Sequence, residues 1–247
     1  MLHQFPAGRL ALPLYAPVLH LTTQCLPAAQ RRILSRCKDE RSGASMKRLI
    51  AGVVLGVGLT AMAHGAGDPA AGEQNAAVCA GCHGQGGAKP VMAVYPKLSG
   101  LGEKYLYNQL VDIKSGDRAI PEMTGLLNAM SDQDLQDLAA YFNSQEMVVG
   151  QANPDLVEQG QALYRGGNMA SGVPACSGCH NPSGIGNEPA GYPALGGQTA
   201  EYVIKQLKAY RAGERAGGAN AGIMMDVASK LTDAEIEAVA SYVSGLN

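Results

Sequence analysis

The sequence has 247 residues and a formal net charge of −2, a length that suits one or two small globular domains. Apolar residues make up 46% of the chain and charged residues 16%, a balance that excludes a disordered protein. From Gly67 onward, 19 acidic residues outnumber 11 basic ones and give a net charge of −8. We therefore expect no nucleic-acid partner for this part of the chain.

Residues 46–66 have the three parts of a secretory signal peptide. Met46-Lys47-Arg48 is basic, residues 49–63 form an apolar run, and Ala61-Met62-Ala63 places small residues at a cleavage position. The run is shorter than the about 20 residues that a membrane span needs, so an uncleaved anchor is the less favoured alternative. We predict export of the chain, with cleavage between positions 63 and 66.

Residues 1–45 precede this signal and show no clear period. Because a secretory signal normally begins its chain, we predict that translation starts at Met46 and that residues 1–45 are an upstream extension. The alternative is a long, basic leader that is translated in full. Cys25 and Cys37 lie in this region, which leaves four cysteines in the exported chain.

A pattern of five residues, C-x-x-C-H, occurs at positions 79–83 and again at 176–180. This pattern is the attachment signature of a c-type haem, in which both thiols form thioethers and the histidine binds the iron. The sequence thus predicts two covalently bound haem c groups. The attachment residues are Cys79, Cys82, Cys176 and Cys179, and the axial histidines are His83 and His180.

Other uses of the paired cysteines are a zinc site, a redox dithiol or a disulfide. A zinc ribbon typically separates its pairs by about 15–20 residues, whereas 97 residues separate Cys79 from Cys176. A redox dithiol does not need a histidine directly after it, and here that histidine is present twice. The haem interpretation is favoured for these reasons.

The two parts of the chain repeat each other with an offset of 97 residues, so that positions 95–100 correspond to 192–197. Further on, five residues of the first copy correspond to five of the second: Tyr105, Gln109, Leu110, Gly116 and Arg118 to Tyr202, Gln206, Leu207, Gly213 and Arg215. Beyond these the offset becomes 101, which indicates a four-residue insertion. Self-similarity of this length is typical of two copies of one small domain.

We predict an all-α fold with domains at 67–147 and 154–247 and a linker at 148–153. In the first copy, helices are expected over about 69–80 and 102–115. A capping-box pattern starts the last helix of each copy, at Ser131 and Thr232. The second copy also has a helix starting at Pro154, a helix ending at Gly213 and an extra loop over 166–174.

Each iron needs a sixth ligand, and only His83 and His180 are certain to remain after signal removal. Methionine is the natural alternative, since its thioether is a known haem ligand. The repeat selects Met123 and Met224, which lie eight residues before Ser131 and Thr232 in segments expected to be loops. Met225 is the alternative to Met224.

Pro96 and Pro193 each follow an axial histidine by thirteen residues. One interpretation is that their carbonyls accept a hydrogen bond from the imidazole and fix its tautomer. The alternative is that both are simple turn prolines.

The duplicated C-x-x-C-H, the Tyr95-Pro96-Lys97-Leu98 and Glu122-Met123-Thr124-Gly125 segments, and residues 224–242 together resemble the cytochrome c4 family. The resemblance spans 67–247 and implies two class I cytochrome c domains, each wrapped around one haem c with His/Met ligation. It also implies periplasmic electron transfer from a quinol-oxidising donor complex to a terminal oxidase, with loose peripheral association with the membrane. The loop at 166–174 departs modestly from the family.

We expect an electron carrier and not an enzyme, because two closed six-coordinate irons leave no site for substrate. The alternatives are the cytochrome subunit of a periplasmic dehydrogenase complex and, less favoured, a dihaem peroxidase. Five basic residues near the middle helices are expected to meet either haem propionates or the other domain: Lys114, Arg118, Lys208, Arg211 and Arg215.

Overall fold

The computed structural model describes residues 67–247, so the predicted signal peptide and upstream extension lie outside the described residues. This part of the chain contains nine α-helices: α1 Pro69–Asn75, α2 Ala80–His83, α3 Glu103–Ser115, α4 Asp132–Ser144, α5 Pro154–Gly166, α6 Ser177–His180, α7 Ala200–Ala212, α8 Ala221–Ser229 and α9 Asp233–Ser244. Its β structure is limited to two isolated antiparallel bridges, Asn168 with Val173 and Asn187 with Tyr192. The all-α prediction is confirmed.

The two copies share the same packing of their first, middle and last long helices, and each has its own apolar core. In the first domain α4 packs against α1 and α3, and in the second α9 packs against α5 and α7. The buried stripe of α4 contains Leu138 and Phe142, and that of α9 contains Ile236 and Val243. Among the described residues, no helix combines the length and apolar character that crossing a membrane would demand.

Glycine permits the close crossing of the first and last helix of each domain. A Cβ atom on Gly72 would lie 2.0 Å from the carbonyl oxygen of Asp137, and one on Gly160 would lie 2.3 Å from that of Ala238. Any larger residue would force the helices apart. These close crossings hold α1 and α5, which precede the short helices α2 and α6, against the last helix of each domain.

Both predicted capping boxes are present. The Ser131 hydroxyl accepts a hydrogen bond from the Asp134 backbone N–H at 3.2 Å, and Thr232 accepts one from Glu235 at the same distance. Each acid in turn accepts a hydrogen bond from the backbone N–H of its cap. The resulting hydrogen bonds lower the pKa of both carboxyl groups. Local spacing thus decides where α4 and α9 begin.

The predicted helix over 69–80 is wrong at its C-terminal end. Helix α1 ends at Asn75, a 3₁₀ turn follows at Ala76–Val78, and α2 is a separate short helix. The backbone N–H of Ala76 is shared between the carbonyls of Gly72 and Glu73, which tightens the chain from α to 3₁₀ geometry. Because of this break, α2 is a separate helix and does not continue α1.

The predicted linker contains no helix and lies along α9. The Gly150 N–H donates to the Ser244 carbonyl at 2.9 Å, and the Asn153 N–H donates to the Ser241 hydroxyl at 2.8 Å. The linker is therefore fixed to the second domain through its backbone.

Candidate functional site

Helices α2 and α6 present the two C-x-x-C-H motifs. His83 is the last residue of α2 and His180 the last of α6. The following residues, Gly84 and Asn181, have φ angles of 77° and 73°, which end each helix and redirect the chain. Both imidazoles are buried, while the thiols of the second cysteines in each motif lie at exposed positions.

Each buried histidine is held by a proline carbonyl. His83 Nδ1 lies 2.9 Å from the Pro96 oxygen, and His180 Nδ1 lies 2.9 Å from the Pro193 oxygen. A carbonyl only accepts, so each Nδ1 carries the proton and each Nε2 retains its lone pair. Desolvation lowers the pKa of both histidines, against the opposing effect of these carbonyls. The geometry presents two neutral imidazoles that are competent to bind a metal through Nε2.

One cavity in each domain brings the motif together with a methionine. The first cavity is lined by Cys79, Cys82, His83 and Met123. The second cavity is lined by Cys176, Cys179, His180 and Met224. Met225, the alternative to Met224, does not line the second cavity.

The two methionines lie in different secondary structure. Met123 ends a 3₁₀ turn at Pro121–Met123, outside the α-helices as predicted. Met224 lies inside α8, so the prediction of a loop at this position is wrong. The equivalent segment of the first domain is interrupted at Gly125, which has a φ of 82°, whereas Asp226 occupies the equivalent position inside α8.

Met130 also lines the first cavity and packs against the first core. Its equivalent in the repeat is Leu231, which lines the second cavity and has no donor atom. A position occupied by leucine in one copy is a packing position, because leucine cannot bind iron. Met123 and Met130 both line the first cavity, and only the comparison of the two copies identifies Met123 as the candidate ligand.

The alternative uses of the cysteines find no support among the described residues. All four thiols of residues 67–247 are free, and no group of three or more His, Cys, Asp or Glu side chains there is placed to hold a metal ion. Burial raises the pKa of Cys79, and that of Cys176 to about 11, which favours thiol over thiolate. Paired thiols at the mouth of an apolar cavity, with a histidine inside it, fit a covalently attached haem.

A hydrogen-bond network between α3 and α7 was not predicted as a unit. The Arg118 guanidinium donates to the side-chain oxygens of Gln109 at 2.8 Å, Tyr202 at 3.1 Å and Gln206 at 3.2 Å. Arg215 donates to those of Gln206 at 2.7 Å, Gln109 at 2.8 Å and Tyr105 at 3.0 Å. The network is symmetric under the 97-residue offset and joins the two domains.

Both arginines are buried, and all six of these hydrogen bonds end on neutral oxygens. Arg118 lines the first cavity and Arg215 lines both. The other three basic residues named above have contacts within their own domains: Lys114 with the Met130 carbonyl, Lys208 with Asp233, and Arg211 with Asp233 and the Leu231 carbonyl. In the sequence, Arg118 and Arg215 differ from these three basic residues only in that they correspond to each other under the 97-residue offset.

Comparison with known proteins agrees with this architecture. Residues 157–247 match the family model described as cytochrome c, and residues 67–142 match the model described as cytochrome c oxidase, cbb3-type, subunit III. Cytochrome c4 of Pseudomonas aeruginosa is 54% identical over 202 residues, an alignment that covers 82% of this chain and 100% of that relative.

One solved structure and one further relative extend the comparison. The crystal structure of reduced recombinant cytochrome c4 from Pseudomonas stutzeri matches with a TM-score of 0.70 and 49% identity, covering 74% of this chain and 100% of that one. A protein named thiosulfate dehydrogenase electron acceptor, from Thiomonas intermedia, is 36% identical over 182 residues, which is 71% of this chain and 81% of the relative.

Proposed function

The chain belongs to the cytochrome c4 family of dihaem electron-transfer proteins, and from this membership we propose that it shuttles single electrons through two His/Met-ligated haems in the periplasm. The proposed donor is a quinol-oxidising complex, and the proposed acceptor is a terminal oxidase. Peripheral association with the membrane belongs to the same proposal.

One observation carries the proposed ligation. Each cavity is lined by one buried histidine with a free Nε2 and by one methionine at the equivalent position of the repeat. Bound haem supplies a one-electron iron couple at each site. Residues able to bind the iron of each haem from both sides would leave no open position for substrate, which supports a carrier over a peroxidase.

The remaining residues have supporting roles in this proposal. The four cysteines would tether the macrocycles through thioethers, and the Pro96 and Pro193 carbonyls orient the imidazoles. The apolar cavity walls would keep water from a bound haem and so favour its less charged, reduced state. Arg118 and Arg215 provide buried positive charge beside the cavities, where it would hold the haem carboxylates.

Substitution of the two methionines of the first cavity tests the ligation. Met123→Leu is expected to abolish one of two methionine–iron charge-transfer bands and to lower one reduction potential, because a thioether ligand favours the ferrous state. Met130→Leu is the matched control, since leucine already occupies the equivalent position 231. An unchanged spectrum for the Met123 variant, or loss of the band in the Met130 variant, contradicts the assignment.

The relative named thiosulfate dehydrogenase electron acceptor favours a second candidate, in which a periplasmic dehydrogenase is the donor. The chemistry at the haems is the same in both cases, and only the partner differs. Fractionation of cells that produce the protein, followed by co-purification and stopped-flow reduction by each candidate donor, distinguishes them. The quinol-oxidising complex is expected to reduce the protein faster, and preferential reduction by a co-purifying dehydrogenase would replace the first proposal with the second.

A further inference from the structure

Each proximal histidine is connected to the opposite domain through a single peptide unit. The Pro96 carbonyl accepts the hydrogen bond of His83, and the N–H of the same peptide, on Lys97, donates to Gln198 Oε1 at 2.9 Å. In the second domain the Pro193 carbonyl accepts from His180, and the Ala194 N–H donates to the Leu101 carbonyl at 3.1 Å. In each case two hydrogen bonds that share one peptide unit connect the imidazole to the other domain.

The two connections end on different groups. Gln198 is the repeat equivalent of Leu101, so a side-chain amide in one connection stands where the other has a backbone carbonyl. Gln198 is 2% exposed, and its Nε2 also donates to the Lys97 carbonyl at 3.0 Å. The amide thus hydrogen-bonds to both the N–H and the carbonyl of Lys97, and the two hydrogen bonds require the same orientation of the amide group. Only the connection from the first site can be removed by changing a side chain.

The Lys97 side chain holds this pairing in place. Its Nζ donates to the carbonyls of Gly197 at 2.6 Å and of Val148 at 2.5 Å, and the residue is buried. One ammonium group therefore links the loop beside His83 to the linker and to the residue that precedes Gln198. Ala194, the equivalent residue of the second domain, has no side chain that can do this.

Hydrogen bonds in series polarise one another. When the Lys97 N–H donates to Gln198, electron density shifts toward the Pro96 oxygen, which becomes a stronger acceptor for the His83 N–H. A stronger acceptor makes the imidazole a more basic ligand, as expected for groups that hydrogen-bond a metal-binding histidine. A more basic ligand stabilises ferric over ferrous iron and lowers the reduction potential.

We propose that Gln198 is a positioning residue for the haem of the first domain: through the Pro96–Lys97 peptide it strengthens the His83 hydrogen bond and lowers the potential of that haem when the domains are docked. This inference rests on the proposed ligation by His83. Contacts at the domain interface thereby contribute to setting the reduction potential of the first haem.

The test compares two neighbouring variants of the full haem-loaded protein. Gln198→Met keeps the length of the side chain and removes the amide. Thr199→Val is the matched control, because it removes a different interdomain hydrogen bond, from Thr199 Oγ1 to the Ala93 carbonyl at 2.7 Å, together with a longer contact of 3.5 Å to Gln198 Oε1, and leaves both hydrogen bonds between Gln198 and the Lys97 backbone in place. The two haems are assigned from the methionine resonances lost in Met123→Leu, and each potential is measured by redox titration followed by NMR.

Gln198→Met is expected to raise the equilibrium constant for reduction of the first haem about threefold, while Thr199→Val changes it less than 1.5-fold. Exchange of the His83 Nδ1–H with deuterium should also become faster in Gln198→Met alone. An unshifted potential and exchange rate in a variant that keeps both methionine bands overturns this inference and leaves the proposed function intact. Absence of the methionine–iron bands from the unmodified protein would instead refute the proposed His/Met ligation.

If Gln198→Met does not fold, Lys97→Met provides the second variant. It keeps the Gln198 amide but removes the ammonium that holds the Gly197 segment in place, and this loosens the pairing of that amide with the Lys97 backbone. The exchange of the His83 Nδ1–H should then be accelerated, and Lys97→Arg, which keeps the charge and the donors, should restore part of the protection. Equal exchange in Lys97→Met and the unmodified protein contradicts the proposal.

Discussion

Gly160 of α5 lies so close to Ala238 of α9 that a Cβ atom on the glycine would stand 2.3 Å from the alanine carbonyl oxygen. It would also lie 2.6 Å from the Cβ atom of Tyr242. The first contact is with backbone, which has no rotamer by which to move away. The packing of the second domain therefore depends on the absence of a side chain at this position.

Gly160→Ala is expected to lower the free energy of unfolding of the second domain by about 3 kcal/mol, since overpacking typically costs about 1–3 kcal/mol and rigid backbone lies at the top of that range. Gly222→Ala is the control, because it adds the same methyl group to α8 with no atom within 4 Å of the new Cβ. Thermal and denaturant unfolding of both variants measure the difference. Equal stability of the two variants would show that α5 and α9 can separate at little cost.

Arg215→Met is expected to destabilise the protein by about 2–4 kcal/mol, because it leaves buried partners of the interdomain network unsatisfied. Removing a buried positive charge that lines both cavities should also lower both reduction potentials, since that charge disfavours ferric iron. Arg211→Met is the matched control, because it breaks a contact with the exposed Asp233 carboxylate and should leave the free energy of unfolding nearly unchanged. Denaturant unfolding and redox titration test the two effects independently, and similar results for both variants would contradict the role of the network.

Glu235 makes a specific contribution to acid stability. The backbone N–H of Thr232 is the main cause of its lowered pKa, followed by the Asn168 amide. A carboxyl group whose pKa is lower in the folded state stabilises the fold above its unfolded pKa, and this contribution is lost as the pH falls through the folded pKa. At pH 7, Glu235→Gln is therefore expected to cost about 0.5–1 kcal/mol, the range of a weakened helix cap.

The cost of Glu235→Gln should shrink as the pH falls through the lowered pKa of the Glu235 carboxyl group, because that group is then protonated in the wild type as well. Glu237→Gln is the control on the same helix, since Glu237 is exposed. Denaturant unfolding at several pH values between 3 and 7 measures both variants. A constant difference between wild type and Glu235→Gln across this range would exclude the carboxylate as the source of the effect.

The chain without haem is expected to lack a cooperatively packed core. If each macrocycle covers about 500 Å² of apolar surface, its burial contributes up to about 12 kcal/mol, which is comparable to the whole stability of a small domain. Circular dichroism and thermal unfolding of the chain produced without haem attachment test this, with the haem-loaded protein as reference. A near-native spectrum with a sharp thermal transition would contradict it.

Local sequence was sufficient for the parts of the fold that depend on short spacings. The capping boxes at Ser131 and Thr232 need only residues three apart, and the structure contains both. The ends of α3 and α7 at Gly116 and Gly213 follow from the left-handed conformation that glycine adopts without strain. The secondary structure around Met224 was harder to predict, because equivalent segments of the two copies differ in conformation: the first contains Gly125 in the left-handed region, and the second has Asp226 at that position inside α8.

The sequence by itself determined the two haem motifs, the duplication and the family resemblance, because each depends on residue identity at short or regular spacing. Only the tertiary structure decided that Arg118 and Arg215 each donate to a glutamine of the other domain and that Gln198 pairs with Lys97. Their partners in the other domain lie about 100 residues away along the chain, and such contacts are set by how α3, α7 and the histidine loops pack. No local pattern encodes that packing, since it depends on how the facing surfaces of two folded domains fit together.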